Sequence, residues 1–264
     1  MSQVTSKDGT AIAYDRQGSG PAVILVGGGL VDPATGRAGR WENAPMAAEL
    51  AARFTVYNYD RRGRADSGDT LPYAVDRELE DLDALLAEAG GRAHLYGVSS
   101  GGALALEAAA AGLAVDRLGV YEVPYFVADD ALQRWREYVE QLGTALGEGH
   151  RGEAVELFMR VAGATEEMVA GARSSPVWPG LEAVAHTLAY DAACIGDGRP
   201  PTARLATISR PVLVITGGGE GFFEEAADAI AAGVPNAERL TLEGQAHVAD
   251  PKVVAPVLER FFGA

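Results

Sequence analysis

Short β-branched and aromatic runs alternate with helical patterns at both ends of this chain, and that alternation constrains the fold more than any other feature. "AVILVGGG" (22–29), "FTVYNYD" (54–60), "RAHLYG" (92–97), "RLGVYE" (117–122), "PVLVITGGG" (211–219) and "AERLTLEG" (237–244) read as strands. Ala11 to Arg16 alternates apolar and polar residues and reads as an edge strand. Helical periodicity fills 43–53, 75–89, 100–111, 222–233 and 249–262. A helix between two strands returns the chain to the same end of the sheet, so the pattern implies an α/β fold. Its sheet is mainly parallel and covered on both faces. Residues 123–210 break the rhythm with "ALQRWREYVEQLGTAL" and "RGEAVELFMRVAG" and show no convincing strand. They read as a helical cap inserted into a core made of 1–122 and 211–264.

Bulk composition narrows the function classes. The 264 residues fit one large domain or a domain with a sizeable insertion, and 48% hydrophobic residues can build a substantial core. Lys and Arg total 22 against 37 Asp and Glu, a net charge of −15, which disfavours nucleic acid and anionic membranes as partners. The single cysteine, Cys194, excludes an internal disulfide and has no second thiol for a metal or redox pair. "MSQVTSKDGTAIAYD" has no apolar signal core, and no apolar run approaches the roughly 20 residues that span a bilayer. A cytoplasmic protein is expected. Oligomeric state is open, and a homo-oligomer is compatible with the sequence.

The stretch "LYGVSSGGALALEAAAAG" (95–112) carries the chemistry. An apolar run stops at Gly97, Ser99 sits between Gly97 and Gly101, and an alanine-rich helix pattern follows. A strand that turns this sharply into a helix needs small neighbours, and it projects the serine hydroxyl at the strand's C-terminal edge. The bland alternative is a tight turn with a capping serine. Ser100 is also hydroxylated, but only Ser99 has glycine at both −2 and +2.

A serine nucleophile needs a base. Of the four histidines, His94 lies in a strand pattern, His150 in a polar stretch of the cap, and His186 on a cap helix where a partly buried structural role is expected. His247, in "LEGQAHVADP", follows the last strand in a loop that can reach the edge where Ser99 sits, so it is the candidate base. The base needs a carboxylate to hold its tautomer and its imidazolium. Glu220, in the "GGGEGFF" loop, supplies one in the chain order Ser, Glu, His. Glu122, at the end of "RLGVYE", is the alternative acid. Glu220 could instead complement a helix dipole, and Asp250 reads as a cap of the final helix. Acyl transfer further needs N–H donors to the oxyanion, worth about 3 kcal/mol each. Ser100 should supply one and Gly29 the other, with Leu30 as the alternative. The loop after "AVILV" fits neither G-x-G-x-x-G nor G-K-[ST], which disfavours a phosphate cradle.

The glycine loop, the "YDRRGRADSG" turn (59–68), the "GVSSGG" elbow, "PVLVITGGGE" and "PNAERLTLEGQAH" occur in an order that resembles the α/β-hydrolase family over nearly the whole chain. The resemblance implies an eight-stranded, mostly parallel sheet flanked by helices, with a helical cap after the sixth strand. It also implies that Arg61, Arg62 and Arg64 belong to a strand-to-helix turn, where with Asp60 they brace neighbouring loops through charged hydrogen bonds, the sharper alternative being a site for an acidic substrate. Most relatives carry His-Gly where this chain has Gly27-Gly28, which implies a differently braced loop. Their acid is usually Asp, one methylene shorter than Glu220.

The expected activity is a serine hydrolase of a small ester, thioester or lactone, acting through an acyl-enzyme with no cofactor and no metal. The alternatives are cofactor-free haloperoxidase-like perhydrolysis, a lyase or cyclase step at the same site, or a ligand-binding protein whose catalysis has decayed. Epoxide hydrolase and dehalogenase chemistry are disfavoured, because those relatives place Asp at the elbow. Trp135, Phe158, Met159, Trp178 and Tyr190 could line an apolar acyl pocket, although most are expected to form the core of the cap.

Overall fold

The computed structural model describes residues 1–29, 31–32, 37–219 and 221–263. Its strands are β1 (Ser2–Thr5), β2 (Ala11–Gly18), β3 (Ala22–Val26), β4 (Val31–Asp32), β5 (Arg37–Ala38), β6 (Thr55–Tyr59), β7 (Ala93–Val98), β8 (Val115–Tyr121), β9 (Val212–Thr216) and β10 (Ala237–Thr241). β4 and β5 form a separate two-stranded pair. The others form one eight-stranded sheet in the order β1-β2-β6-β3-β7-β8-β9-β10. β2 runs antiparallel to β1 and β6, and every pairing from β6 to β10 is parallel.

The helices of the first part are α1 (Ala44–Leu50), α2 (Val75–Glu88) and α3 (Ser100–Ala110). Those between β8 and β9 are α4 (Asp129–Gly147), α5 (Arg151–Val161), α6 (Glu166–Arg173), α7 (Trp178–Val184), α8 (Leu188–Ile195) and α9 (Thr202–Leu205). α10 (Gly221–Gly233) and α11 (Pro251–Phe262) complete the chain. The sixth strand of the main sheet in chain order is β8, and the inserted helices follow it, as the resemblance implies.

The expectation that Ala11–Arg16 forms an edge strand is corrected. Ser2–Thr5 pairs with it and takes the edge, so β2 lies one strand inside. Ser2–Thr5 is short, and its burial pattern leaves no apolar run for a sequence reading to detect.

Strand alternation sends side chains to two apolar layers. Val23 and Leu25 of β3 pack with Val56, α1 and α11, whereas Ile24 and Val26 pack with Tyr57, α2 and α3. The second layer runs on without a break into Leu132, Trp135, Tyr138, Leu181 and Leu188 of the inserted helices. Those helices therefore close over the sheet through shared core. No helix among the described residues is long and apolar enough to cross a membrane.

Candidate active site

The β7–α3 turn is as tight as its glycines suggest. A Cβ on Gly101 would lie 2.3 Å from the Gly27 carbonyl oxygen, and one on Gly97 would lie 2.6 Å from that of Gly101. Ser99 sits between them at φ 55° and ψ −130°, a backbone region that side-chain-bearing residues rarely adopt. β8 holds it there, since the Ser99 N–H donates to the Tyr121 carbonyl at 2.9 Å. Ser100 opens α3, where its N–H has no acceptor within the helix. The two adjacent hydroxyls have different fates. Ser100 Oγ donates to Asp191 at 2.7 Å, while Ser99 Oγ has no hydrogen-bond partner among the described residues.

His247 and Glu122 meet at the same end of the sheet. Glu122 directly follows β8, in the left-handed region at φ 45°, and its N–H donates to the Ile215 carbonyl at 3.0 Å. Its Oε2 lies 2.8 Å from His247 Nδ1, and its Oε1 accepts the Gly217 N–H at 2.9 Å. The loop bearing His247 is secured by Tyr121, whose hydroxyl donates to the Ala246 carbonyl at 2.7 Å. The Phe223 ring stacks on the imidazole with centroids 4.9 Å apart and planes 9° from parallel. The carboxylate is buried, at 4% exposure, whereas the imidazole remains open, at 42%. One face of the pair is dry and the other accessible.

The residues expected from the sequence fall out as follows. Val98 pairs with Tyr121, so Ser99 and Glu122 occupy adjacent strand ends, and Glu122 carries His247. No hydrogen bond joins Ser99 Oγ to His247. Glu220, first choice as the acid, and Leu30, alternative oxyanion donor, lie outside the described residues. Among the described residues, Glu122 is the carboxylate that reaches His247 Nδ1, and a ring nitrogen offers one in-plane hydrogen-bonding position. The remaining histidines have structural surroundings. His94 is buried and stacks on Phe262 at 4.7 Å. His150 is exposed between Glu148 and Glu153, and His186 Nε2 lies 3.3 Å from Asp69.

A buried ionic cluster braces the glycine loop. Arg64 donates to the Gly28 carbonyl and, at 2.6 Å, to Asp191 Oδ2. Arg61 donates to Asp191 Oδ1 at 2.7 Å, to both Glu78 oxygens at 2.6 and 2.7 Å, and to the Gly27 carbonyl at 3.4 Å. Arg62 is bidentate to Asp81 and also reaches Asp8 at 2.9 Å. Burial alone would raise the Asp191 carboxyl, but Arg64 and Arg61 outweigh it and hold the group below its ordinary value. The glycine loop is therefore held here by arginines. Gly28 itself approaches Ser99 closely: its Cβ would lie 3.0 Å from that of Ser99.

Asp191 escaped the sequence reading, though a signal was present. It is a charged residue in "LAYDAACI", an otherwise apolar helix, and a carboxylate buried there requires cationic partners. Of the aromatic candidates in the inserted helices, Trp135, Trp178 and Tyr190 are buried. Phe158 reaches the site, with its Cζ 3.7 Å from the Cβ position of Gly29.

Comparison with known proteins agrees with this architecture. A crystallised alpha/beta hydrolase from Sphaerobacter thermophilus is 48% identical, with a TM-score of 0.87 over 99% of this chain and 100% of that one. An esterase from Thermogutta terrifontis shares the fold at 21% identity, with a TM-score of 0.70 over 98% of this chain and 97% of the esterase. The uncharacterized hydrolase YraK of Bacillus subtilis is 35% identical over 103 residues, 38% of this chain and 35% of that protein, so that match spans about a third of the relative's length. Residues 22–257 match the alpha/beta hydrolase family as a whole, and with its eight-stranded sheet this chain belongs to that family.

Proposed function

We propose that the protein is a serine hydrolase that cleaves a small-molecule carboxylic ester, thioester or lactone through an acyl-enzyme. The carrying observation is the His247–Glu122 hydrogen bond of 2.8 Å at the strand end beside the strained Ser99. With its Nδ1 proton directed to Glu122, the imidazole presents Nε2 as the base. In this reading Ser99 Oγ attacks the carbonyl carbon as its proton passes to Nε2. The oxyanion collapses, the leaving oxygen or sulfur takes the proton from the imidazolium, and the acyl group stays on Ser99. Water then repeats the sequence and releases the carboxylic acid. Hydrogen bonds of this kind commonly tighten only once substrate is bound, which accommodates the unbonded Ser99 hydroxyl.

The oxyanion would lie between the N–H groups of Ser100 and Gly29. A trans peptide points its C=O and N–H in opposite directions. The arginine that draws the Gly28 carbonyl toward itself thus turns the Gly29 N–H the other way. Phe158 and Phe223 supply an apolar wall for the acyl chain.

The test is labelling with a fluorophosphonate, followed by turnover of p-nitrophenyl acetate. A mass shift confined to Ser99, a burst of p-nitrophenol, and loss of both in Ser99→Ala are expected. Wild-type turnover in Ser99→Ala would refute the mechanism. An unlabelled, folded protein that still binds a hydrophobic ligand would favour a non-catalytic receptor.

A further inference from the structure

Glu42 stands outside the mechanism above, yet its carboxyl lies beside the glycine loop that packs on the elbow. Its Oε2 is 3.9 Å from the Cβ position of Gly27, the residue against which Gly101 of the elbow packs. The charges that act on it come from different parts of the fold. Arg61 and Arg64 belong to the turn after β6, Asp191 to α8, and His247 to the loop after β10. A carboxyl that feels all of these lies within electrostatic reach of both the arginine cluster and the imidazole. Among the described residues it makes neither a hydrogen bond nor an ion pair.

The nearby cations are already engaged. Arg61 is shared by Glu78 and Asp191, and Arg64 by Asp191 and the Gly28 carbonyl. Glu122 adds a second carboxylate on the other side of His247. An anionic group entering beside the glycine loop would find both arginines engaged by carboxylates and, among the described residues, the unpaired Glu42 carboxylate near Gly27. From this geometry we infer that Glu42 is a charge-selecting residue of the acyl-transfer site, and that the substrates are esters or lactones whose non-reacting portion is uncharged or cationic rather than carboxylate-bearing. The inference deepens the hydrolase reading and rests on it for the identity of the site.

Ionisation of the group makes the selection adjustable. Burial pushes the Glu42 carboxyl up to about 7, Asp191 adds to the rise, and Arg64, His247 and Arg61 oppose it. Below that value the group is neutral and its discrimination weakens. Above it the carboxylate form grows and the discrimination strengthens.

The experiment uses p-nitrophenyl esters of matched length: hexanoate, 6-aminohexanoate and the monoester of adipic acid. At pH 8 the wild-type protein should favour hexanoate over the adipate monoester in kcat/KM by at least about tenfold, with 6-aminohexanoate no worse than hexanoate. The anion-to-neutral ratio should move toward unity at pH 6. In Glu42→Gln it should lose that pH dependence and stay near the pH 6 value of the wild type. An unchanged ratio in Glu42→Gln at pH 8 would overturn the inference. Calorimetric binding of hexanoate and hexylamine to wild type and Glu42→Gln separates the two readings. If no ester is turned over, acyl transfer fails, while loss of the preference for hexylamine in Glu42→Gln still supports the selector. Equal preference in both proteins refutes it.

Discussion

Ser99 is held in a strained conformation by neighbours that cannot change size, and His247 is held by a buried carboxylate. In the proposed mechanism these two facts concentrate the chemistry in few atoms. If Glu122 orients the imidazole, Glu122→Gln offers an amide where a charged acceptor is needed and can present the wrong group to Nδ1. We expect kcat for p-nitrophenyl acetate to fall by about 10³–10⁴-fold, the size seen when the acid of such a triad is neutralised. Glu220→Gln should lower it less than about tenfold. The reverse ranking in stopped-flow kinetics would return the acid role to Glu220. Phe223 covers one face of the same imidazole, so the ring has little freedom to turn away from Glu122.

At the scale of elements, α8 links separate parts of the fold. Asp191 projects from it into Arg61, Arg64 and Ser100, which tie the inserted helices to the turn after β6, the glycine loop and the start of α3. Removing the carboxylate leaves two buried guanidinium groups short of a partner. Asp191→Ala should therefore cost about 3–5 kcal/mol in urea unfolding. Asp191→Asn keeps the shape and one acceptor, so it should fold. Its Gly28 carbonyl would be held less firmly, and kcat should fall by about tenfold or more while KM changes little, as expected for an interaction made with the transition state. A change in KM alone would mean that α8 shapes the pocket and leaves the oxyanion loop untouched. Because Asp191 is held below its ordinary value, its contribution is present above the unfolded carboxylate range and is lost as pH falls through the depressed folded value.

For the whole molecule, the dominant fact is a net charge of −15 carried by one open eight-stranded sheet and the helices around it. Like charges on a compact body repel one another more than on an expanded chain. Salt shortens the reach of that repulsion from about 30 Å at 0.01 M to about 10 Å at 0.1 M. The buried arginine clusters are screened far less. Thermal unfolding followed by circular dichroism should thus show Tm rising by about 2–4 °C between those ionic strengths. A falling Tm would show that exposed ion pairs such as Arg134–Asp130 and Arg160–Glu166 outweigh the global repulsion.

Local pattern was enough for the parallel strands, the helices between them, their alternation and the elbow around Ser99, because periodicity and steric demand act between residues close in the chain; it was not enough for the edge strand Ser2–Thr5. It also marked His247, which lies one loop beyond the last strand. For the partner of that histidine it offered two carboxylates, with Glu220 placed before Glu122. Glu122 directly follows β8, and Glu220 lies four residues beyond β9 in sequence, and β8 and β9 are neighbours in the sheet. The choice between them turns on a few ångströms of loop path, which sequence spacing does not encode. The same holds for Asp191, whose arginine partners lie well over a hundred residues earlier in the chain. A sequence can show that a buried charge needs an opposite charge. Only the packing of distant elements decides which one it meets.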